Sequence, residues 1–248
     1  MKEYGAAFLM TQSMFCALPF PCRIWEEKAR NKMLLFLPVI GLEIGLLWFL
    51  LNWILESMGI SRLIAGFFMS VFPYLITGFI HLDGYLDVTD AICSWRDLDE
   101  RRRILKDSHV GAFAVIWCIF IMLAGFSLFS SVSETADSRC LILVPVISRC
   151  CSALAVLNLK AMQTSQYVGG QEHAPKWHSV FLVILIVCCT LAGFVYLGKY
   201  GFVLAGGLTG YVLALLKSYR SLKGMNGDIS GYCLIISELC AVAVYALL

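Results

Sequence analysis

The chain has 248 residues, of which 60% are hydrophobic and only 15% are charged, and its mean hydropathy is +0.80. Soluble domains contain about 45–50% apolar and about 25% charged residues, so this composition excludes a soluble globular protein and places the chain in a bilayer. The formal net charge of +2 gives no indication of nucleic-acid binding, and no nucleic-acid partner is expected.

The N-terminal stretch from Tyr4 to Phe20 is apolar, follows Lys2 and is interrupted by Pro19 and Pro21. A secretory signal has a similar pattern, but no small-residue cleavage site follows here. We predict a retained helix that lies at the membrane interface or inserts in part.

Seven further stretches approach the roughly 20 apolar residues that a membrane-spanning helix needs. They are residues 34–55, 62–80, 111–132, 140–159, 178–197, 201–216 and 231–248. We therefore predict a single all-α membrane domain over residues 1–248, a polytopic helical bundle of about seven transmembrane helices.

The lysines and arginines of the connecting segments indicate the orientation. With the N-terminus inside, fifteen of them fall in inside segments and three in outside segments. Cytoplasmic loops carry such an excess. We predict that the N-terminus and loops 81–110, 160–177 and 217–230 are cytoplasmic.

Three charged residues, Glu43, Arg149 and Glu238, fall inside predicted spans. Burial in a bilayer is costly unless such groups pair or face a polar cavity. Two interpretations stay open: they line a substrate chamber, or they are paired struts between helices. Eight of the eleven cysteines also lie in apolar runs without a zinc-binding spacing, and we interpret them as small buried hydrophobes.

The richest polar segment follows the second predicted span. Asp83, Asp87 and Asp90 are spaced i, i+4 and i+7, which places them within about 60° of one another on an α-helix. Like charges at this spacing repel, and a Mg²⁺ ion that binds carboxylate and phosphate oxygens would remove the repulsion. Gly84 would let a substrate approach closely, and His81 could bind a phosphate or an aspartate.

A second polar segment lies before the third predicted span. Asp107 begins that span, and a helical hairpin would return it toward the three aspartates as a fourth metal ligand or as a base. Ser108 stands beside it, and Arg102 and Arg103 could bind phosphate bidentately. A positive-inside loop explains the two arginines equally well.

A third polar segment, residues 224–231, precedes the last predicted span. Asn226 and Asp228 alternate with glycines there, as in loops that bring phosphate or metal to a helix N-terminus. A simple turn with an N-cap gives the same pattern.

Several of these motifs resemble the adenosylcobinamide-GDP ribazoletransferase (cobalamin synthase) family. The central match is His81-Leu-Asp-Gly-x-x-Asp-x-x-Asp, followed by Glu100-Arg-Arg and by Lys106-Asp-Ser-x-x-Gly-Ala-Phe. Weaker matches run along the whole chain, at Leu18-Pro-x-Pro, Phe36-Leu-Pro-Val-Ile-Gly, Ser148-Arg149 and Gly227-Asp228 with Gly231. Three positions, His109, Ala114 and Asn226, depart from the family pattern.

The resemblance implies a Mg²⁺-dependent integral membrane enzyme of the bacterial cytoplasmic (inner) membrane. It would transfer the corrinoid phosphate of adenosylcobinamide-GDP to α-ribazole or its 5′-phosphate and release GMP. The metal ligands expected from the resemblance are Asp83, Asp87, Asp90 and Asp107. The catalytic residues are expected to be three of these, Asp83, Asp90 and Asp107. The resemblance also suggests two further partners, the lipid bilayer and other corrinoid-pathway enzymes. Expected substrate-binding residues are His81, Gly84, Arg102, Arg103, Ser108, Arg149, Asn226 and Asp228.

Three alternatives were weighed against this interpretation. A membrane prenyltransferase would need a second aspartate-rich motif, and Asp228 stands almost alone. A phospholipid head-group transferase would act on CDP-activated lipids. An ion-coupled transporter would place its charged site near the bilayer midplane between repeats, whereas this acidic stripe lies at a predicted membrane edge and no internal repeat is visible.

Overall fold

The computed structural model describes residues 2–19, 24–162 and 175–248, which contain helices and no β-strand. This confirms the all-α prediction. The α-helices, numbered in chain order, are α1 (Lys2–Phe15), α2 (Leu37–Ser57), α3 (Arg62–Ile76), α4 (Ile80–Cys93), α5 (Leu98–Ile104), α6 (Ala112–Ser131), α7 (Cys140–Asn158), α8 (Lys176–Leu197), α9 (Gly201–Leu222) and α10 (Gly227–Leu247). Two 3-10 helices, Glu27–Phe36 and Gly198–Tyr200, precede α2 and α9.

The described part of the chain has five helical segments that are long and apolar enough to cross a membrane, or six if the bent pair α3–α4 is one span. One of the five, Lys176–Leu222, has 47 residues and as a straight helix would extend about 70 Å, far beyond the bilayer core. It folds back at Gly198, whose φ is 57°, so that a Cβ on Gly193 would collide with Leu204. Helices α8 and α9 are therefore a hairpin. Counting them separately, and the bent pair α3–α4 as one span, gives seven spans, the number predicted.

The chain bends sharply between α3 and α4. Their axes differ by 92°, because Gly78 and Phe79 both adopt left-handed conformations, with φ of 60° and 63°. We call residues 77–79 the elbow. The second predicted span, residues 62–80, thus ends one residue into α4, and the three aspartates of the stripe lie on a separate helix that crosses the bundle.

Helix α10 packs against α9, α4 and α7, and α2 packs against α7. Glycines permit the closest of these approaches. A Cβ on Gly41 of α2 would stand 2.5 Å from the carbonyl oxygen of Pro145 in α7, and one on Gly45 would collide with Ile142. The backbones of α2 and α7 are therefore in direct contact, and the α10 interface with α4 is built in the same way.

The loops form two groups at opposite ends of the bundle. At one end, the Met225 N–H donates to the Lys160 carbonyl oxygen at 2.8 Å. At the other, the Arg62 guanidinium donates to the Ser133 carbonyl oxygen at 3.4 Å. Loops expected on one side of the membrane thus contact each other. The predicted N-terminal helix is α1, and it packs on the 3-10 helix Glu27–Phe36.

The charged residues predicted within the spans have polar partners. Arg149 and Glu238 form a buried ion pair at 2.6 Å, between α7 and α10. The Gln12 amide donates to both carboxylate oxygens of Glu43, at 3.0 and 2.8 Å. The geometry of Arg149 and Glu238 agrees with the second interpretation, a paired strut between two helices. The ten cysteines in the described residues are free thiols.

Candidate active site

Helix α4 displays its carboxylates on one side and buries the other. The buried side carries His81, Gly84, Tyr85 and Val88. On the other side, Asp83 is exposed, and Asp87 and Asp90 are partly buried. The helical spacing inferred from the sequence is therefore correct, since all three aspartates lie on the continuous helix Ile80–Cys93. Burial of the opposite face holds the acidic stripe at a fixed orientation above the bundle.

The start of α10 brings a fourth carboxylate to this stripe. A Cβ on Gly84 would lie 2.8 Å from the Cα of Asp228, and one on Gly231 would lie 2.8 Å from the carbonyl oxygen of His81. The backbones of α4 and α10 therefore touch at two points. Asn226 caps α10 by accepting from the Ile229 N–H at 3.0 Å, and its amide donates to the Asp228 carboxylate at 2.6 Å.

Four carboxyl groups meet at this place. The Asp87 carboxylate is close enough to those of Asp83, Asp228 and Asp90 to interact electrostatically with each. None of the four forms an ion pair with a described basic residue. We call these four residues the acidic cluster. Within the described ranges, no three His, Cys, Asp or Glu side chains already surround a common metal position, so the cluster is open.

The start of α6 closes one side of the acidic cluster. The N–H of Ala114 donates to Asp90 at 3.4 Å, and a Cβ on Gly111 would collide with the Asp90 carboxylate. Gly111 is thus the residue that lets the loop before α6 pass so close to α4. The Lys106-Asp-Ser-x-x-Gly motif reaches the acidic stripe through this glycine.

Asp107 itself lies in the exposed loop between α5 and α6. Its carboxylate contacts the His109 ring at 2.6 Å, and this hydrogen bond holds the pKa of Asp107 below its usual range. Ser108 is exposed beside it. The carboxylates that interact electrostatically with Asp87 are those of Asp83, Asp90 and Asp228. The structure thus adds Asp228 to the stripe, and Asp107 is not among the groups around Asp87.

The two arginines predicted to bind phosphate have protein partners. Arg102 donates to the carbonyl oxygens of Leu222 and Lys223, both at 3.1 Å, at the C-terminal end of α9. Arg103 forms an ion pair with Glu100 at 2.6 Å. Arg102 thereby satisfies carbonyl groups that a helix end leaves free, a role that the sequence analysis did not anticipate.

A cavity of about 100 Å³ opens beside Asp83 and Asp228. Its walls are mainly apolar and come from α1, the 3-10 helix before α2, α2 itself, α4, α7 and α10: Met14, Phe15, Leu34, Leu37, Val156 and Leu234. His81 also lines it, and its ring stacks on Phe15 with 6.0 Å between the ring centroids. Arg149 does not line this cavity. It is almost fully buried against Glu238.

Together these features define an integral membrane protein whose helical bundle holds a cluster of unpaired carboxylates at one end, beside a small apolar cavity. Comparison with known sequences gives the family. The chain belongs to the cobalamin-5-phosphate synthase family, whose model matches residues 7–246.

Relatives in several bacteria carry the name adenosylcobinamide-GDP ribazoletransferase. One from Clostridium perfringens is 34% identical over 252 residues and covers 100% of both chains. One from Clostridium botulinum is 32% identical over 244 residues, 96% of each chain. One from Lachnoclostridium phytofermentans is 31% identical over 234 residues, 92% of this chain and 88% of the relative. No solved structure matches the chain.

Proposed function

We propose that the protein transfers the corrinoid phosphate of adenosylcobinamide-GDP to α-ribazole or its 5′-phosphate, with Mg²⁺ held at the acidic cluster. The products are adenosylcobalamin or its 5′-phosphate, and GMP. The observation that carries the proposal is the acidic cluster itself: Asp87 interacts with three other carboxylates, and no described cation offsets them. The family and the names of the relatives supply the reaction.

The donor chemistry of the acidic cluster fits Mg²⁺. This ion prefers carboxylate oxygens, keeps several waters and completes its shell with substrate phosphates. A protein site for it therefore needs only one or two carboxylates in place, which is compatible with the absence of three converged ligands among the described residues. We propose that one or two of the carboxylates of Asp83, Asp87, Asp90 and Asp228 hold the ion. When bound, the ion neutralises charge on the diphosphate and on the leaving GMP.

The chain's own residues position the reaction. The acceptor hydroxyl oxygen forms a bond to the corrinoid-side phosphorus, and the bond from that phosphorus to the bridging oxygen breaks, so that GMP leaves with the bridging oxygen. Asp83, which is exposed and lines the cavity, takes the hydroxyl proton. Most acceleration in phosphoryl transfer comes from positioning and charge neutralisation, and the contact between α4 and α10 supplies the positioning.

Asp107 has a lowered pKa, which makes it a weak base and keeps it ionised. We therefore propose that Asp107 and Ser108, which lie in the exposed loop before α6, contact the donor as it enters the site. The protein is proposed to lie in the bacterial cytoplasmic membrane with the acidic cluster on the cytoplasmic side, where both soluble substrates are made available.

The decisive experiment uses the purified protein in liposomes with adenosylcobinamide-GDP and α-ribazole, with and without Mg²⁺, and measures GMP and the corrinoid product. We expect product only with the metal. Asp87→Asn should lower the rate by at least about 100-fold, a typical effect of losing one preorganised electrostatic contact. Glu134→Gln, an exposed carboxylate between α6 and α7, should leave the rate unchanged.

A second measurement does not depend on activity. Mg²⁺ should raise the thermal midpoint of the wild-type protein, because a ligand that binds only the folded state stabilises it, by about 2.7 kcal/mol at 100 times its Kd. Asp87→Asn should reduce that shift and Glu134→Gln should keep it. GMP formation that is independent of Mg²⁺, or normal in Asp87→Asn, would refute the assignment of the metal site.

A further inference from the structure

The apolar cavity beside the acidic cluster has the character of a small-molecule site. Such sites are concave and mostly apolar, with a few polar groups that fix orientation. Here the polar groups are Asp83 and Asp228 on one side and the hydroxyls of Ser152 and Ser230 on another. The two serines hydrogen-bond to each other across α7 and α10. A ligand in the cavity therefore has carboxylates beside it.

His81 and Phe15 give the cavity an aromatic wall. Both residues line it, and their rings lie nearly parallel, with 14° between the ring planes and 6.0 Å between the centroids. His81 is 8% exposed, and its Nε2 atom is enclosed by protein atoms, so the ring and not this nitrogen is available to a ligand.

The size and lining of the cavity can be compared with each part of the two substrates that the proposed function implies, and only one part fits. The corrin ring is far too large for about 100 Å³. Guanine carries donors and acceptors on most of its edges and would lose hydrogen bonds to water against apolar walls. The benzimidazole base of α-ribazole is a flat, apolar bicycle whose free ring nitrogen accepts one hydrogen bond. It matches an aromatic wall and an apolar lining.

We propose that this cavity binds the aromatic base of the nucleoside acceptor, with its ring packed against the apolar walls and the Phe15–His81 pair. This inference rests on the proposed function, because that function supplies the acceptor. A base seated here places the attached ribose beside Asp83 and Asp228, where its hydroxyl must be deprotonated. His81 is thus a specificity-determining residue, and Ser152 forms part of the cavity wall.

The test is equilibrium dialysis of labelled α-ribazole and, separately, of labelled adenosylcobinamide-GDP against detergent-solubilised protein. Ser152→Leu fills part of the cavity and should weaken α-ribazole binding by about tenfold or more, equivalent to 1.4 kcal/mol. Donor binding should change less than about twofold. Ser218→Leu is the matched control, a buried serine of α9 that lies outside the cavity, and it should change neither affinity.

A second set of variants addresses the aromatic wall. His81→Ala removes the ring that stacks on Phe15 and should weaken α-ribazole binding by about tenfold. His81→Phe keeps an aromatic ring at this position and should recover most of the affinity. His178→Ala, at a buried histidine of α8 away from the cavity, should leave the affinity unchanged.

The outcomes separate the two proposals. If the wild-type protein binds the donor but no α-ribazole, the proposed acceptor fails and the cavity assignment fails with it. If α-ribazole binds to the wild type, and Ser152→Leu and His81→Ala bind it equally well, the base lies elsewhere and only this inference is overturned. Equal loss of donor and acceptor binding in folded Ser152→Leu also overturns it.

Discussion

The substitution Gly84→Ala is a sharp test of how α10 completes the acidic cluster. The new methyl would stand 2.8 Å from the Cα of Asp228 and 2.9 Å from its carbonyl oxygen. Both are backbone atoms and cannot rotate away, so α4 and α10 must separate by about 0.7 Å to reach an ordinary carbon–carbon distance. Forcing an added methyl into such a contact costs about 1–3 kcal/mol.

The displacement should affect the rate more than the fold. A shift near 1 Å at a reacting centre can cost about 100-fold in rate, so we expect a loss of about 10- to 100-fold in GMP formation while the protein still folds. Gly231→Ala, which would place a methyl 2.8 Å from the His81 carbonyl oxygen on the same interface, should act similarly. The assay is initial-rate GMP release in liposomes, with the thermal midpoint measured in parallel.

Gly5→Ala is the matched control, because a Cβ on Gly5 of α1 would meet nothing within 4 Å. It should leave rate and midpoint unchanged or slightly raise the midpoint, since alanine favours a helix over glycine. Wild-type rates in Gly84→Ala would refute the argument that contact between α4 and α10 positions Asp228.

Two further predictions concern groups that the structure pairs. Arg149→Met or Glu238→Leu alone should lower stability strongly, by about 3–5 kcal/mol, because each leaves a buried charge unpaired. The double variant should recover much of that loss in a thermal double-mutant cycle, and additive losses would show that the ion pair is not coupled. Arg102→Ala should lower the thermal midpoint by removing the cap on the end of α9, and the exposed Arg103→Ala should not. A larger stability loss in Arg103→Ala than in Arg102→Ala would contradict the capping role.

Much of the architecture could be predicted because the bilayer imposes simple rules. The length of the apolar stretches was enough to locate the spans. The i, i+4, i+7 spacing predicted that three aspartates share one helical stripe, and helix α4 confirms it. The hairpin of α8 and α9 was also expected, although the turn at Gly198 is so short that the apolar segment runs through it. These features depend on neighbours in sequence or on composition.

The rest depends on contacts between distant segments. Asp228 lies far along the chain from Asp83, and its part in the acidic cluster follows from the backbone contact at Gly84, which no spacing rule reveals. Arg102 was expected to bind phosphate, but its guanidinium meets the carbonyl oxygens at the end of α9. The 92° bend could be suspected from Gly78, whereas the left-handed Phe79 could not.

The shortness of α3 has a consequence for where the chemistry takes place. Its 15 residues rise about 22 Å, which is less than the roughly 30 Å thickness of the hydrocarbon core. Helix α3 alone is therefore shorter than the hydrocarbon core. Because α4 leaves the elbow at 92° to α3, its residues add little to the length of this span. Lipids with longer or shorter acyl chains would change how far the acidic cluster lies from the head groups, and we expect turnover to depend on acyl-chain length.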